Sequence, residues 1–335
     1  MERLRWAIAV HGGAGTIPQG DPHEEHIQGL KAAVQTGAHL LQEVSSPQCA
    51  NYNSLSSLPL AVTAAVAAVQ CLEDNPLFNA GRGSVLNTKK TIEMEAAVIN
   101  GVDQQAGAVT GLTTVKNPIM LASLVLKDSK FQFLGFEHAE NFASTYGSVV
   151  ERRPNSYFVT ERRLKSLERV LKKKQAPPGD IIESNSRNST GKMAQEPETV
   201  GAVVMDPSGN LACATSTGGL TAKVPGRIGD TPLVGAGSYA QNGLCALSGT
   251  GIGEEFIRHS SAVRVACAME YGEFGLEEAM WKVVFERMAK GSGGFIGVDA
   301  HGGIVQEFNG EGLYRASMDS SGRRKVGIWK EENDF

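Results

Sequence analysis

A polar stretch that gives way to two β-prone runs constrains the fold of this chain most. Residues 172–198 are rich in Lys, Pro, Ser, Asn and Gln and poor in apolar side chains, which predicts a mobile linker. Directly after it, residues 199–205 and 211–217 flank the turn sequence Asp-Pro-Ser-Gly-Asn, a pattern typical of a β-hairpin. The first residue after the linker, Thr199, is therefore expected on a strand.

The other segments predict groups of helices alternating with groups of strands. We expect helices at 21–43, 58–73, 118–126, 160–174, 254–271 and 276–288, and strands at 5–10, 91–98, 106–115, 295–298 and 304–308. Because several strands are joined as hairpins, this order favours antiparallel sheets covered by helices, an α+β fold class. The 335 residues, of which 41% are apolar, suffice for a large core and are compatible with one domain or two.

Composition and charge exclude several functional classes. A formal net charge of −4 offers no basic surface for nucleic acid or anionic lipid, so a small-molecule substrate fits better. The five cysteines lack CxxC spacing and are odd in number, which indicates reduced thiols. The N-terminus lacks a signal-peptide pattern, and the longest apolar stretch, 58–72, is too short to span a membrane. We therefore expect a cytoplasmic protein.

Thr199 would combine a nucleophile and a base once the Glu198–Thr199 peptide bond is cut. Cleavage gives this residue a free α-amine with a pKa of about 7.7–8.0, suited to take the proton of its own hydroxyl. Glu198 and Thr199 thus form a candidate cleavage site. Taken alone, a threonine that opens an apolar run is an ordinary strand residue, so the interpretation depends on the rest of the sequence.

Five short motifs accompany this threonine. They are HGGAG at 11–15, NPLFNAGRG at 75–83, TSTGG at 215–219, GRIGD at 226–230 and GTGIGE at 249–254. In this order and around a linker, they resemble the plant-type asparaginases, also called isoaspartyl peptidases. These are threonine members of the N-terminal nucleophile (Ntn) hydrolases, and the resemblance covers nearly the whole chain.

The resemblance implies a fold, an activation step and an activity. The fold would be a four-layer αββα sandwich, formed by a single domain of residues 1–335 that cleaves itself into an α subunit, 1–198, and a β subunit, 199–335. Two such pairs would associate into a heterotetramer. The enzyme would hydrolyse L-asparagine to L-aspartate and ammonia, and also β-aspartyl dipeptides, through an acyl-enzyme.

The resemblance also assigns the residues of the catalytic centre. Thr199 would be the nucleophile, and Thr217 would orient its hydroxyl and amine. Thr250 and the N–H of Gly251 would form the oxyanion hole. Asn79 would approach the nucleophile, although an asparagine in such a segment is also a common turn residue.

A second group of residues would bind the substrate. Arg227 would hold the α-carboxylate of the substrate and Asp230 its α-ammonium group, with Gly253 beside them. In isolation, Arg227 and Asp230 would more often be a surface ion pair. His11 is tempting as a base, but the Thr199 amine already fills that role, so we expect a structural histidine. The HGGAG motif is no phosphate loop, because GxxxxGK[ST] is absent.

No cofactor is expected for the chemistry itself. The family resemblance implies a structural sodium ion held by backbone carbonyls, since hard cations prefer oxygen ligands. Its ligands would be Leu72, Glu73, Asn75, Phe78, Ala80 and Arg82. A potassium ion would bind at a second loop near 114–121.

Two residues depart from the common family pattern. Glu198 stands where many members have glycine before the nucleophile, and Glu95 replaces an aspartate common in bacterial relatives, which favours the plant-like branch. Three alternatives remain at this point. They are a glycosylasparaginase-type enzyme, a protein-cleaving threonine aspartase, and a non-catalytic scaffold that binds small zwitterions through Arg227 and Asp230.

Overall fold

A computed structural model describes residues 5–17, 19, 23–42, 52–175 and 199–335. Its α-helices are α1 (Glu24–Gln42), α2 (Leu60–Asp74), α3 (Pro118–Asp128), α4 (Phe136–Ser144), α5 (Glu161–Gln175), α6 (Gly253–His259), α7 (Ser261–Gly272) and α8 (Leu276–Trp281). Its strands are β1 (Ala7–Gly15), β2 (Met94–Asn100), β3 (Ala106–Leu112), β4 (Phe133–Gly135), β5 (Val200–Met205), β6 (Leu211–Thr217), β7 (Ser238–Gln241), β8 (Cys245–Gly251), β9 (Gly293–Asp299), β10 (Ile304–Phe308), β11 (Gly312–Asp319), β12 (Arg324–Gly327) and β13 (Glu332–Asp334).

These strands form two sheets. The larger sheet has the order β13-β12-β11-β1-β5-β6-β2-β3-β4, and the smaller has the order β10-β9-β8-β7. Neighbouring strands are antiparallel except for β3 and β4, which run parallel. The β5–β6 hairpin thus lies in the middle of the larger sheet, where both strands are fully buried.

Three apolar cores separate four layers. The first lies between α1–α5 and the larger sheet, the second between the two sheets, and the third between the smaller sheet and α6–α8. Strand alternation explains how one strand serves two cores: in β1, Ile8 and Val10 face the helices, whereas Ala7 and Ala9 face the other sheet. The αββα sandwich that the family resemblance implied is confirmed.

Most predicted elements are present, with shifted ends. The hairpin of β5 and β6 is confirmed, and the helix expected at 160–174 is α5; the Thr160 hydroxyl accepts the N–H of Arg163 at 3.3 Å. The expected helix at 254–271 is instead two helices, because Ser260 adopts a left-handed conformation with φ 48° between α6 and α7. The expected helix at 276–288 begins as α8 and continues in its second half as a π-helix, Lys282–Arg287.

The predicted linker lies largely outside the described residues. Helix α5 continues to Gln175, so the first residues of the segment 172–198 are helical. The ends of the expected helix at 21–43 and the residue Glu198 also lie outside the described part. Among the residues described, no helix is long and apolar enough to cross a membrane.

Candidate active site

Thr199 and Thr217 meet where the β5–β6 hairpin ends. Val200 pairs with Ser216 in the sheet register, which places Thr199 opposite Thr217. The Thr199 hydroxyl donates to the Thr217 hydroxyl oxygen at 3.3 Å, and both residues are buried. Thr217 Oγ also accepts the N–H of Gly219 at 2.9 Å, so the orientation of its hydroxyl is fixed by the following turn.

Asn79 supports this turn. Its side-chain amide donates to the carbonyl of Gly219 at 2.7 Å, its carbonyl oxygen accepts the N–H of Val85 at 2.8 Å, and its backbone carbonyl accepts the N–H of Gly218 at 3.0 Å. Gly218 is required here, since an added Cβ would lie 2.5 Å from Asn79 Oδ1. Asn79 therefore lies against the turn that follows Thr217; its predicted part in catalysis stays a prediction.

Thr250 and Gly251 end strand β8 of the other sheet. Thr250 is buried, and its Oγ accepts the N–H of Ala14 at 3.2 Å, which leaves the hydroxyl proton of Thr250 able to donate elsewhere. Gly251 has φ 144°, and an added Cβ would lie 2.0 Å from the carbonyl oxygen of Ser292. Only glycine fits this close approach to the Ser292 backbone; the part of Thr250 and Gly251 in an oxyanion hole stays a prediction.

The charged groups of the site are Arg227, Asp230, Glu254 and Glu95. The Arg227 guanidinium donates through Nε and Nη2 to the Glu254 carboxylate at 3.0–3.1 Å. Asp230 is packed beside the same arginine around Gly253, where an added Cβ would lie 2.6 Å from Asp230 Oδ1 and 2.9 Å from Arg227 Nη2. The predicted substrate-binding residues Arg227 and Asp230 are thus neighbours in the site and do not form an isolated ion pair on the surface.

Burial raises the pKa of two carboxyl groups of the site, those of Asp230 and Glu95. Desolvation raises the pKa of Asp230 to about 7, against the opposing attraction of Arg227. Desolvation also raises the pKa of Glu95, which is opposed by Lys223 and Arg227. Glu95 accepts the N–H of Gly229 at 3.0 Å and pairs with Thr217 in the register of β2 and β6. Glu95, which stands where bacterial relatives commonly have aspartate, is therefore part of the candidate site.

The side chain of His11 contacts the backbone of Thr199. Its Nδ1 lies 3.0 Å from the carbonyl oxygen of Thr199, which only accepts, so Nδ1 carries the proton. Nε2 then accepts from Ser248 Oγ at 2.8 Å, and Ser248 lies 2.8 Å from the Thr215 hydroxyl. Burial lowers the pKa of His11 to about 3, so the ring is neutral. This arrangement supports the structural role expected for His11.

A cavity of about 210 Å³, counted with the open solvent at its mouth, joins these groups. Its lining consists of Thr199, Thr217, Gly219, Leu220, Arg227, Gly229, Asp230, Gly251 and Gly253. Six of the predicted site residues line this one cavity, while Thr250 and Asn79 lie directly behind it. A larger cavity near Tyr52 and Cys71 contains none of them.

Sequence reasoning missed several residues of the cavity. Gly219, Leu220 and Gly229 lie within or beside the TSTGG and GRIGD motifs but were not assigned a role. Glu254 ends the GTGIGE motif, and its bond to Arg227 forms only because the fold brings the first turn of α6 against the loop that carries Arg227. An arginine in a site generally needs a counter-charge, which was the one signal available for Glu254.

At the loop 72–83, where a sodium ion is predicted, two glycines lie against carbonyl oxygens, and the ion itself stays a prediction. An added Cβ at Gly81 would lie 2.4 Å from the carbonyl oxygen of Glu73, and one at Gly83 would lie 2.0 Å from that of Phe78. Both carbonyls belong to the ligand set expected for sodium, and oxygen is the donor such ions prefer. At the other expected ion loop, the Thr114 N–H donates to Glu140 at 2.9 Å.

The four layers, two sheets packed face to face and covered by helices on both sides, are the αββα fold of the N-terminal nucleophile hydrolases. A family profile described as asparaginase matches residues 4–328. The chain belongs to this asparaginase family and is an amidohydrolase.

Curated relatives match over nearly their full length. A probable isoaspartyl peptidase/L-asparaginase 2 of Arabidopsis thaliana is 40% identical, over 97% of this chain and 99% of the relative. An isoaspartyl peptidase of Escherichia coli is also 40% identical, over 98% of this chain and 97% of the relative. An isoaspartyl peptidase/L-asparaginase of Danio rerio is 38% identical, over 90% of this chain and 88% of the relative.

Proposed function

We propose that this protein hydrolyses L-asparagine to L-aspartate and ammonia, and β-aspartyl dipeptides to L-aspartate and an amino acid. One observation carries the proposal: a single cavity brings the Thr199 hydroxyl together with Arg227 and Asp230. Both substrates share an α-carboxylate and an α-ammonium group at one end, and differ only in the group that leaves. The arginine and the aspartate match that common end.

Binding places the side-chain carbonyl of the substrate against Thr199. Arg227 holds the α-carboxylate and ionised Asp230 holds the α-ammonium group, which fixes the distance from the anchored end to the scissile bond. The glycines at 219, 229 and 253 leave room for these contacts, because each would place a Cβ within 3.4 Å of Arg227. Substrates without the zwitterionic end lose both anchors.

Catalysis then proceeds through an acyl-enzyme. Thr199 Oγ attacks the amide carbon while its proton passes to the Thr199 α-amine, and that proton later moves to the departing ammonia or amine. The Thr250 hydroxyl and the Gly251 N–H stabilise the oxyanion, a donor pair of which each member is worth about 3–4 kcal/mol in comparable enzymes. Water, deprotonated by the same amine, hydrolyses the ester and releases L-aspartate.

The α-amine becomes available only through self-cleavage. In this proposal Thr199 Oγ attacks the carbonyl carbon of Glu198, the acyl group shifts from nitrogen to oxygen, and water hydrolyses the resulting ester into chains 1–198 and 199–335. The Thr217 oxygen, 3.3 Å from Thr199 Oγ, supports this step by fixing the rotamer of the nucleophile.

The other activities considered from the sequence are not favoured by the names of the relatives. A direct assay separates them: purified protein is given L-asparagine, a β-aspartyl dipeptide or a glycosylated asparagine, and released L-aspartate is measured. We expect turnover of the first two and none with Thr199→Ala. Turnover of glycosylated asparagine alone, or binding of L-aspartate without any turnover by the wild-type protein, would overturn the assignment.

Three further properties belong to the proposal. A structural sodium ion at the 72–82 loop rests on the resemblance and on the carbonyl oxygens of Glu73 and Phe78, beside which only glycine fits, whereas potassium at 114–121 rests on the resemblance alone. Association into a dimer of αβ pairs rests on the same resemblance, and light scattering tests it. A cytoplasmic location is supported by the free thiols of the four cysteines that the structure describes.

A further inference from the structure

Glu254 is an acidic residue of the active site to which the proposed reaction gives no role. It lies in the first turn of α6, and its side chain is 57% exposed, whereas that of Arg227 is only 14% exposed. All three hydrogen bonds between them run from Nε and Nη2 of the guanidinium to the carboxylate, at 3.0–3.1 Å. Glu254 therefore occupies one defined edge of the guanidinium.

A guanidinium has two edges that can each bind a carboxylate with two parallel N–H groups. One edge consists of Nε and Nη2, and the other of Nη1 and Nη2. Glu254 binds the first edge, so neither N–H group of Nη1 is bonded to Glu254. Nη1 lies beside two glycines of the cavity, 2.9 Å from the Cβ position of Gly229 and 3.4 Å from that of Gly219.

The position of Nη1 decides between two roles for Glu254. If Glu254 stood where a substrate carboxylate binds, it would compete with the substrate and have to leave. Since it occupies the opposite edge, both carboxylates can bind Arg227 at once. We propose that Glu254 is a positioning residue, which fixes the Arg227 guanidinium so that its Nη1 edge faces the cavity and selects ligands with an α-carboxylate.

This inference rests on the proposed function for the identity of the ligand, but binding alone tests it. L-Aspartate carries the α-carboxylate, whereas β-alanine is the same molecule without it. We expect Glu254→Ala to weaken L-aspartate binding about 10- to 100-fold, the loss typical of a misplaced binding group. Binding of β-alanine should change less than about 3-fold, because it makes no contact with Arg227.

A matched control separates this effect from a general loss of surface charge. Glu278 has a side chain that is 58% exposed and pairs with Lys282 at 3.7 Å, far from the cavity on α8. Glu278→Ala should leave both affinities unchanged. Glu254→Gln keeps the size and one acceptor oxygen, so it should lie between the wild-type protein and Glu254→Ala, with the same melting temperature as the wild type.

Calorimetric titration of the two ligands gives clear outcomes. A selective loss of L-aspartate binding in Glu254→Ala supports the proposal, as does a matching rise in KM for L-asparagine with kcat nearly unchanged. Equal weakening of both ligands, no weakening, or tighter binding of L-aspartate would contradict it; tighter binding would show competition. If L-aspartate binding depends on Glu254 as described but the wild-type protein turns over no substrate, the proposed function fails and this inference stands.

Discussion

Asp230 links the pH dependence of ligand binding to one buried carboxyl. Burial raises its pKa to about 7 in the free protein, so it is half protonated near neutral pH. Only the ionised form attracts an α-ammonium group. We therefore expect the affinity for L-aspartate to fall as the pH drops below about 7, which titration calorimetry between pH 5.5 and 8.5, both about a unit or more from that pKa, would measure.

The matched variant is Asp230→Asn, which keeps the shape but not the charge. Removing one partner of a buried charge pair costs about 2–5 kcal/mol, so this variant should bind L-aspartate at least about 30-fold more weakly. Its remaining affinity should lose the step near pH 7. A pH profile that is unchanged in Asp230→Asn would assign the titration to another group, such as the Thr199 amine.

The environment of His11 leads to a second prediction, which concerns the free energy of unfolding. Because its pKa is about 3 in the folded state and 6.5 in the unfolded state, the neutral ring stabilises the native protein above pH 6.5, and this contribution is lost as the pH falls toward 3. Ser248→Ala removes the hydroxyl that donates to Nε2 and leaves a buried acceptor unpaired. We expect a loss of about 1–3 kcal/mol in urea unfolding at pH 7.

Ser208 provides the control for this serine. It lies exposed in the β5–β6 turn, so Ser208→Ala should change the free energy of unfolding by less than about 0.5 kcal/mol. If both alanine variants behave alike, the contact between His11 and Ser248 does not hold the Thr199 carbonyl in place.

Among the structural elements, the 72–83 loop contains very close backbone approaches. An added methyl group at Gly83 would lie 2.0 Å from the carbonyl oxygen of Phe78 and 2.6 Å from that of Pro76. Gly83→Ala should therefore cost about 1–3 kcal/mol and remove any stabilisation by NaCl relative to choline chloride. Thermal unfolding in the two salts measures this.

Gly147 is a suitable control for the loop. It is exposed, and an added Cβ would come no closer than 3.9 Å to the nearest atom, the carbonyl oxygen of Ser144. Gly147→Ala should keep both the stability and the response to sodium. A sodium response that survives in Gly83→Ala would place the ion elsewhere or show that none binds.

The elements that sequence could predict are those with local signals. The β5–β6 hairpin has its turn residues between two apolar runs, and α2 is a continuous apolar helix that ends near a proline. Strands β8 and β11 have no such signal, because they contain Gly, Ser and Ala and are defined by distant partners. β11 pairs with β1 from the other end of the chain, Ile8 opposite Met318. The left-handed Ser260 likewise depends on the packing of α6 and α7.

The residues of the candidate site likewise fall into those that sequence could predict and those that it could not. Arg227, Asp230 and Gly251 could be assigned to one predicted site because they lie in short motifs whose order along the chain is distinctive, and Thr199 because it opens a β-prone run directly after a polar stretch. Glu254 could not be assigned a role, since its contact with one edge of the Arg227 guanidinium depends on how α6 meets the loop that carries Arg227. The buried environment that raises the pKa of Asp230 is also a property of the fold and not of the motif.

At the scale of the whole molecule, the proposed cleavage would leave two chains that share one sheet. β1 from the first chain lies between β5 and β11 of the second, and β2 pairs with β6. Separating the chains would break central strand pairs and expose two cores. We expect the cleaved chains to co-elute as one species in native gel filtration; separation into two native species would contradict the shared fold.

The most direct test of the account is the N-terminus of the active protein. Purified protein with measured asparaginase activity is analysed by intact mass spectrometry and N-terminal sequencing under denaturing conditions. We predict two chains, 1–198 and 199–335, with Thr199 as the free N-terminal residue of the second, and a single uncut chain for the inactive Thr199→Ala variant. A fully active preparation that consists of one uncut chain would contradict the account, because the threonine would then have no amine to deprotonate its own hydroxyl.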